Sequence, residues 1–247
     1  MREFLAELLG TFMLVLLGDG AVAQVVLGQA ARQDQFFGNF LSISLGYGLA
    51  LMLGILVSGG VSGGHLNPAV TTAMAAIRKL EMRQIPHYLA AQYLGAFCGA
   101  LVLWGEYSDI IRLAETKATN STGYTEATRG IFASYPTFPE EVGLLRERIE
   151  TLLIIWLLFT SIMPWHLTRN ACLLLPSLAL DQMLGTGLLV VIVLAATDGR
   201  NMKLEAGLVP LTIGLGLTAI HLRHHSADAW IAVVSKPQNF PFNARPG

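Results

Sequence analysis

One short segment carries the residue types that could do chemistry. Residues 58–71 read SGGVSGGHLNPAVT and lie between two apolar stretches. Glycines and an Asn-Pro pair predict irregular backbone over 58–66, with Asn67 capping a helix that begins at Pro68. Such a helix directs the positive end of its dipole at Asn67 and repels cations there. Four carbonyl groups could accept hydrogen bonds from a hydroxyl group, those of Gly63, Gly64, His65 and Leu66.

The segment is predicted to enter a membrane. Inside a bilayer, non-helical backbone survives only where protein or a water-filled cavity satisfies its polar groups. We therefore expect the segment to line a pore, with the Asn67 amide as a hydrogen-bond donor. The alternative is that Asn67 is only a helix cap and His65 only a loop residue. The predicted pore site comprises Gly63, Gly64, His65, Leu66, Asn67, Pro68 and Ala69.

No other constellation indicates catalysis or metal binding. The sequence presents no nucleophile–base pair, and we predict no enzyme activity and no cofactor. His221, His224 and His225 could share one helix face, but no acidic or cysteine ligand stands nearby to complete a metal site. A net charge of −1 gives no reason to expect a nucleic-acid partner.

Glu7 is the acid most in need of a partner. It lies inside a predicted membrane span, where a carboxylate is costly unless it is paired. We expect it to accept hydrogen bonds from N–H groups of the irregular segment and so to brace it. The alternative is an exposed acid at the membrane edge.

The composition requires elements that lie in a membrane. Of 247 residues, 53% are hydrophobic and 13% charged, against about 25% charged in an ordinary soluble domain. The mean hydropathy is +0.54. Two cysteines, Cys98 and Cys172, make no disulfide framework. These values exclude a secreted mini-protein, a disordered chain and most soluble enzymes, and indicate a polytopic membrane protein.

Five apolar stretches are predicted to span the membrane, since a span needs about 20 apolar residues. The spacing of Gly95 and Gly99 predicts a close helix contact in the third span. We expect a short helix over 69–77, a loop over 107–150, and an apolar run at 152–163 that packs at the surface or in the interface. The five spans are residues 4–27, 40–57, 85–104, 184–196 with its flank, and 204–220.

Two short motifs recur along the chain. Residues 9–11 read LGT, as do residues 184–186, and the GLAL of 48–51 resembles the GLGL of 214–217. The first motif lies in the first and fourth predicted spans and the second in the second and fifth, so the copies are three spans apart. The recurrence predicts two halves of opposite topology, with chance similarity in a Leu- and Gly-rich chain as the alternative.

Several of these motifs resemble the major intrinsic proteins, the aquaporin family. The segment SGGHLNPAVT at 62–71 resembles the family's first signature loop, and AELLGTF at 6–12 its first helix. Three further segments are similar to the vertebrate aquaglyceroporin branch: AVAQVVL at 21–27, GIFASYP at 130–136 and LDQMLGTG at 180–187.

The resemblance implies an all-α membrane protein, an inverted-repeat bundle with a re-entrant half-helix. It also implies a homotetramer in the plasma membrane that conducts water and glycerol, with urea as a further candidate solute. On this resemblance Tyr47 is the aromatic residue of the pore's selectivity filter, and Glu7 and Gln182 support the structure. Asn120 becomes an extracellular glycosylation site. Both termini and a set of basic residues become cytoplasmic: Arg2, Arg78, Lys79, Arg83, Arg200 and Lys203.

The chain departs from the family pattern in its second half. The family's second signature loop, Asn-Pro-Ala-Arg, does not occur, and neither does a sixth span. His221 stands at a position of the family's selectivity filter, where a histidine would make the filter resemble a water-selective one. Lys236 could replace the arginine of that filter. We interpret both as coincidental, because residues 221–247 do not resemble the family.

We accordingly divide the chain into four parts: a first repeat with an extracellular loop (1–139), an insertion (140–177), a partial second repeat of two spans (178–220) and a divergent tail (221–247). The predicted function is a channel subunit for water, glycerol and similar neutral solutes. The alternative is a truncated, non-conducting isoform or gene-model product that is retained in the endoplasmic reticulum and degraded, or that interferes with full-length subunits.

Overall fold

Six α-helices and a short 3₁₀ turn make up the part of the chain that the structure describes. A computed structural model describes residues 1–31, 37–119, 128, 130–132 and 175–223, without the side chains of 29–31, 117–119 and 175–182. These ranges contain no β-strand, and the predicted all-α class is confirmed. The elements are α1 (Arg2–Ala31), α2 (Phe40–Ser62), α3 (Pro68–Ala76), the 3₁₀ turn (Met82–Gln84), α4 (Ile85–Thr119), α5 (Leu175–Thr197) and α6 (Val209–Arg223).

Glycines allow α1 to pack against α2 and α4 at backbone distance. A Cβ atom at Gly95 of α4 would lie 2.3 Å from the carbonyl oxygen of Leu8, and Gly99 is crowded against the same helix. On α2, a Cβ at Gly54 would lie 2.8 Å from the carbonyl oxygen of Gly10. The close contact that the spacing of Gly95 and Gly99 predicts is therefore present, and it joins α4 to α1.

The end of α2 differs from the prediction. Irregular backbone was expected from residue 58, but the helix continues to Ser62. Gly63 then ends it in the left-handed conformation at φ 90°, with its N–H donating to the Gly59 carbonyl at 3.1 Å. A left-handed cap is the common way to end a helix, and glycine adopts it without steric strain. The irregular segment is thus confined to residues 63–67.

The short helix after this segment agrees with the prediction. It runs over Pro68–Ala76, with Pro68 in its first turn and Asn67 as its N-cap. Nine residues give a length of about 14 Å, roughly half of a bilayer core. The helix therefore cannot cross a membrane by itself.

Helix α4 is longer than predicted. A span over 85–104 followed by a loop from 107 was expected, but the helix runs over 35 residues to Thr119. The prediction was wrong because the polar residues there were taken as a loop signal, although no proline interrupts the helix after Gly105. At about 1.5 Å per residue the helix is about 52 Å long, well beyond a bilayer core of about 30 Å.

Helix α6 crosses α2 at two glycines. A Cβ at Gly214 would lie 2.5 Å from the Gly48 carbonyl oxygen, and one at Gly48 would lie 2.6 Å from the Gly214 carbonyl oxygen. These are the glycines that begin the recurring motifs at 48–51 and 214–217. Their mutual contact places the two motifs side by side, and the division into two related halves stays a prediction.

Three helical segments are long and apolar enough to cross a membrane: Arg2–Gly28, Phe40–Ser62 and Met82–Thr116. Two shorter apolar segments, Met183–Thr197 and Val209–Arg223, follow within the described residues. Helix α6 begins later than the predicted 204, because Gly207 and the turns before it disfavour helix and Pro210 suits a first turn.

Several predictions fall on residues outside the described ranges. These are the glycosylation site Asn120, the apolar run at 152–163, most of the insertion at 140–177, Lys236 and all but the start of the tail at 221–247. Gln182 lies within helix α5, but its side chain is outside the description. The four-part division of the chain stays a prediction.

Candidate solute pathway

Residues 63–67 form a loop between α2 and α3 in which three residues adopt the left-handed backbone conformation. Gly63, Gly64 and Leu66 have φ values of 90°, 64° and 51°, all in the left-handed region. The φ of Gly64 favours glycine, and a Cβ there would also be crowded, at 3.2 Å from the Gly59 Cα. A leucine at φ 51° is rare, and its surroundings must hold it in place.

Glu7 holds this loop from α1. Its side chain is fully buried, and its Oε1 accepts hydrogen bonds from the Ser62 hydroxyl at 2.6 Å and the His65 backbone N–H at 2.9 Å. Its Oε2 accepts from the Leu66 N–H at 2.8 Å and from Gln92 Nε2 at 2.8 Å. Four donors around one carboxylate offset the loss of its hydration.

Helix α4 contributes polar partners that the sequence reasoning missed. Gln92 Nε2 also donates to the Thr71 hydroxyl at 2.9 Å, which links α4 to α3. The Tyr88 hydroxyl donates to the Ser62 carbonyl at 2.8 Å. Tyr88 and Gln92 are four residues apart on one helix face, and this spacing of polar groups within an apolar span was the available signal.

Asn67 is both the cap of α3 and a cavity-lining residue. Its Oδ1 accepts from the Ala69 N–H at 2.7 Å. With the oxygen fixed in this way, the amide nitrogen is left as a donor, and it has no hydrogen-bond partner among the described residues. Asn67, His65 and Gly64 all border the same cavity.

That cavity lies between the half-helix and the long helices. Its volume is about 320 Å³, enough for about ten water molecules at about 30 Å³ each. The apolar part of its wall includes residues of α1, α2, α3, α5 and α6, which are Leu14, Val15, Leu51, Ile55, Val70, Leu189, Val193, Ile213 and Leu217. The polar part consists of Asp19, Tyr47, Gly64, His65, Asn67 and His221.

Tyr47 lies at a polar corner of this cavity. Its hydroxyl donates to the Asp19 carboxylate, and its ring meets that of His221 at 5.2 Å between centroids and 70° between planes. The interpretation of His221 as coincidental did not anticipate this contact. It arises because the glycine contact between α2 and α6 brings the last turns of α6 beside Tyr47.

The remaining predicted residues do not border the cavity. Leu66 and Pro68 are buried, and Leu66 packs into a core formed with α3, α5 and α6. Gly63 and Ala69 are not among the cavity-lining residues. Of the seven loop residues singled out from the sequence, the structure brings Gly64, His65 and Asn67 together with Tyr47 at one cavity.

A comparison with protein-family models decides the family. The model described as "Major intrinsic protein" matches residues 1–164, which is more than half of the chain. The chain belongs to the major intrinsic protein family. Members of this family are integral membrane proteins that act as channels and not as enzymes.

Individual relatives agree with this membership. Aquaglyceroporin-2 of Rhizophagus irregularis is 40% identical over 219 residues, covering 89% of this chain and 57% of the relative. Aquaporin-10 of Milnesium tardigradum is 37% identical over 223 residues (90% and 45%), and human Aquaporin-9 is 35% identical over 219 residues (89% and 61%). The chain therefore spans about half the length of the curated relatives it matches. The human relative is consistent with the vertebrate-branch resemblance, although the fungal and tardigrade proteins are equally similar.

A solved structure supports the fold. The X-ray structure of the aquaglyceroporin from Plasmodium falciparum matches with a TM-score of 0.60 and 24% identity, over 98% of this chain and 85% of that chain. At this identity the likeness concerns the fold alone. The major intrinsic protein described here is thus an aquaporin-like helical bundle, as predicted.

Proposed function

We propose that this chain is a membrane channel subunit for the passive transport of water, glycerol and similar small neutral solutes. The observation that carries the proposal is the loop at 63–67, which Glu7 clamps and which borders a cavity through Gly64, His65 and Asn67. Family membership and the aquaglyceroporin relatives support the same function.

The polar and apolar parts of the cavity wall suit a solute that has both polar and apolar surfaces. The Asn67 amide and the backbone of the loop offer hydrogen bonds on one side, and aliphatic side chains from all six described helices form most of the remaining wall. A hydroxylated solute can replace its hydrogen bonds to water with hydrogen bonds to these groups, while its carbon atoms contact the apolar wall. Tyr47 is proposed as the aromatic wall of the filter.

The α3 dipole supports selection against cations. The first turn of α3 begins beside Asn67 and carries a positive partial charge of about half an elementary charge. No lysine or arginine is among the described residues that border the cavity. The proposed barrier to cations therefore comes from the backbone and not from a charged side chain.

The orientation and assembly belong to the same proposal. Lys79 Nζ lies 3.5 Å from the Thr197 hydroxyl, so the basic turn after α3 and the basic turn after α5 share one face. We assign this face to the cytoplasm on the positive-inside rule. Residence in the plasma membrane and assembly into a homotetramer follow from the family resemblance.

Stopped-flow measurements on proteoliposomes test the function. The purified chain is expected to raise water and glycerol permeability above that of empty liposomes. The variant Asn67→Asp keeps a helix cap but loses the amide donor, and flux should fall about tenfold, the equivalent of one lost hydrogen bond of about 1.4 kcal/mol.

Asn39→Asp is the matched control, because Asn39 caps α2 in the same way and lies away from the cavity. It should conduct as the parent does. Equal flux in the parent, Asn67→Asp and Asn39→Asp would refute the role of Asn67 in the pathway.

The alternative is a chain that does not conduct. One sequence fact favours it: the triplet Asn-Pro-Ala occurs once, at residues 67–69. A single half-helix supplies half of the dipole field and one asparagine donor where the family pattern has two. Permeability equal to that of empty liposomes, for a chain that is folded and inserted, would establish this alternative.

A further inference from the structure

Two aromatic rings and a carboxylate meet at one corner of the cavity. The Tyr47 hydroxyl of α2 donates to Oδ1 of Asp19 on α1, and the His221 ring of α6 stands edge-on to the Tyr47 ring. The Tyr47 ring also lies against α1, since a Cβ at Gly18 would come within 2.6 Å of two of its atoms. The ring is therefore fixed from both sides, and its hydroxyl is directed at Asp19.

The second carboxylate oxygen of Asp19, Oδ2, is available to accept a hydrogen bond. Its Oδ2 has no hydrogen-bond partner in the part of the chain that the structure describes, and Asp19 itself borders the cavity. No lysine or arginine in the described ranges lines that cavity to neutralise it. Asp19 is partly buried and its Oδ2 can accept a hydrogen bond from molecules that enter the cavity.

We propose that Asp19 is a solute-selecting residue of the pathway, which accepts a hydrogen bond from a hydroxyl group of a small polyol and favours polyols over water. This inference rests on the proposed function, because it assumes that solutes pass through this cavity. Tyr47 acts as its positioning residue by occupying Oδ1 and leaving Oδ2 directed at the solute.

The surroundings of Asp19 favour a polyol. Leu14 and Val15, also on α1, and the Tyr47 ring line the same cavity and give it apolar surface. A polyol can donate a hydroxyl to Asp19 and place its carbons on these groups, whereas water gains only the hydrogen bond. A cation at Asp19 would share the cavity with the positive end of α3, which opposes it.

Permeability ratios in proteoliposomes give the first test. Asp19→Asn preserves the shape and the acceptor for Tyr47 but replaces Oδ2 with an amide donor. We expect glycerol permeability to fall about threefold to tenfold relative to water permeability, the range for one weakened charge-assisted hydrogen bond. Asp109→Asn, the same change at an exposed position of α4, should leave the ratio unaltered. An unaltered ratio in Asp19→Asn would overturn the proposal.

Carbodiimide labelling of the unsubstituted chain gives a second test that does not depend on transport. Modification of Asp19, followed by peptide mass spectrometry, should be slowed several-fold by glycerol, while modification of Asp109 should not. Protection by sodium or ammonium ions and not by glycerol would overturn the assignment to polyols, and so would equal labelling with and without glycerol.

The two tests separate this inference from the function on which it rests. A chain without flux in which glycerol protects Asp19 refutes conduction and retains the polyol site. A conducting chain in which Asp19→Asn keeps its permeability ratio and glycerol gives no protection retains the function and refutes the role of Asp19.

Discussion

The Glu7 carboxylate links α1 to α2, to the loop at 63–67 and to α4, so the geometry of the candidate pathway depends largely on this one residue. Its donors come from α2 and the loop through Ser62, His65 and Leu66, and from α4 through Gln92. Without this acceptor, the backbone N–H groups of His65 and Leu66 would lose their hydrogen-bond partner within the protein. The conformation of Leu66, which is unfavourable in isolation, is therefore held by a residue distant from it in sequence.

Replacing Glu7 by Gln should destabilise the fold. One carboxylate oxygen that accepts hydrogen bonds would become an amide NH₂ group that faces the same donors and cannot accept from them, which costs about 2–4 kcal/mol when the groups are buried. We expect a lower Tm in detergent, measured by intrinsic fluorescence, with a loss of flux. Glu106→Gln, at an exposed position of α4, is the control and should shift stability by less than about 0.5 kcal/mol. Equal Tm values for the two variants would contradict the bracing role.

At the scale of elements, the packing depends on where glycine permits two backbones to meet. Gly95→Leu would force a side chain into the space occupied by the Leu8 backbone and should separate α4 from α1. We expect loss of the monodisperse folded species in size-exclusion chromatography. Gly105→Leu on the same helix is the control, because nothing lies within 4 Å of a Cβ there. A Gly95→Leu chain that stays monodisperse with an unaltered Tm would disprove this interface.

The sequence predicted those elements whose signals are local. Asn67 with Pro68 fixed the start of α3, and the spacing of Gly95 and Gly99 indicated a close helix contact. Helix ends were less predictable, because the glycines before Ser62 were taken as breaks although one turn of helix tolerates them. The spacing of Tyr88 and Gln92 was a signal of buried polar groups, but the partner of Gln92, like that of Asp19, depends on which helices become neighbours.

At the scale of the whole molecule, basic turns from both halves share a face. The contact between Lys79 and Thr197 brings the turn after α3 beside the turn after α5, and the exposed residues Arg200 and Lys203 follow in that turn. Helix α4 leads away from this face towards Glu106. Because α4 leaves this face and α5 ends at it, the two helices run in opposite directions through the bundle.

Cysteine labelling in intact cells tests this arrangement. In a chain with Cys98 and Cys172 replaced by Ala, Lys79→Cys and Lys203→Cys should react with a membrane-impermeant maleimide only after permeabilisation. Glu106→Cys should react in intact cells, because about 30 Å of helix separates it from the start of α4. Labelling of Lys203→Cys but not Lys79→Cys from outside would show that the second half is inverted.

The charge on Glu7 also constrains how the chain is made. Gln92 lies 85 residues after Glu7 along the chain, and the first of the other donors, Ser62, lies 55 residues after it. At about 5–20 residues per second, a ribosome needs about 4–17 seconds to reach Gln92 after it has added Glu7. During that interval α1 carries a carboxylate without its partners, and an unpaired charge in a membrane helix costs up to about 2.5–3.5 kcal/mol on insertion. Nascent α1 should therefore remain at the translocon until its later partners emerge, and the bundle is expected to enter the lipid as a group of helices.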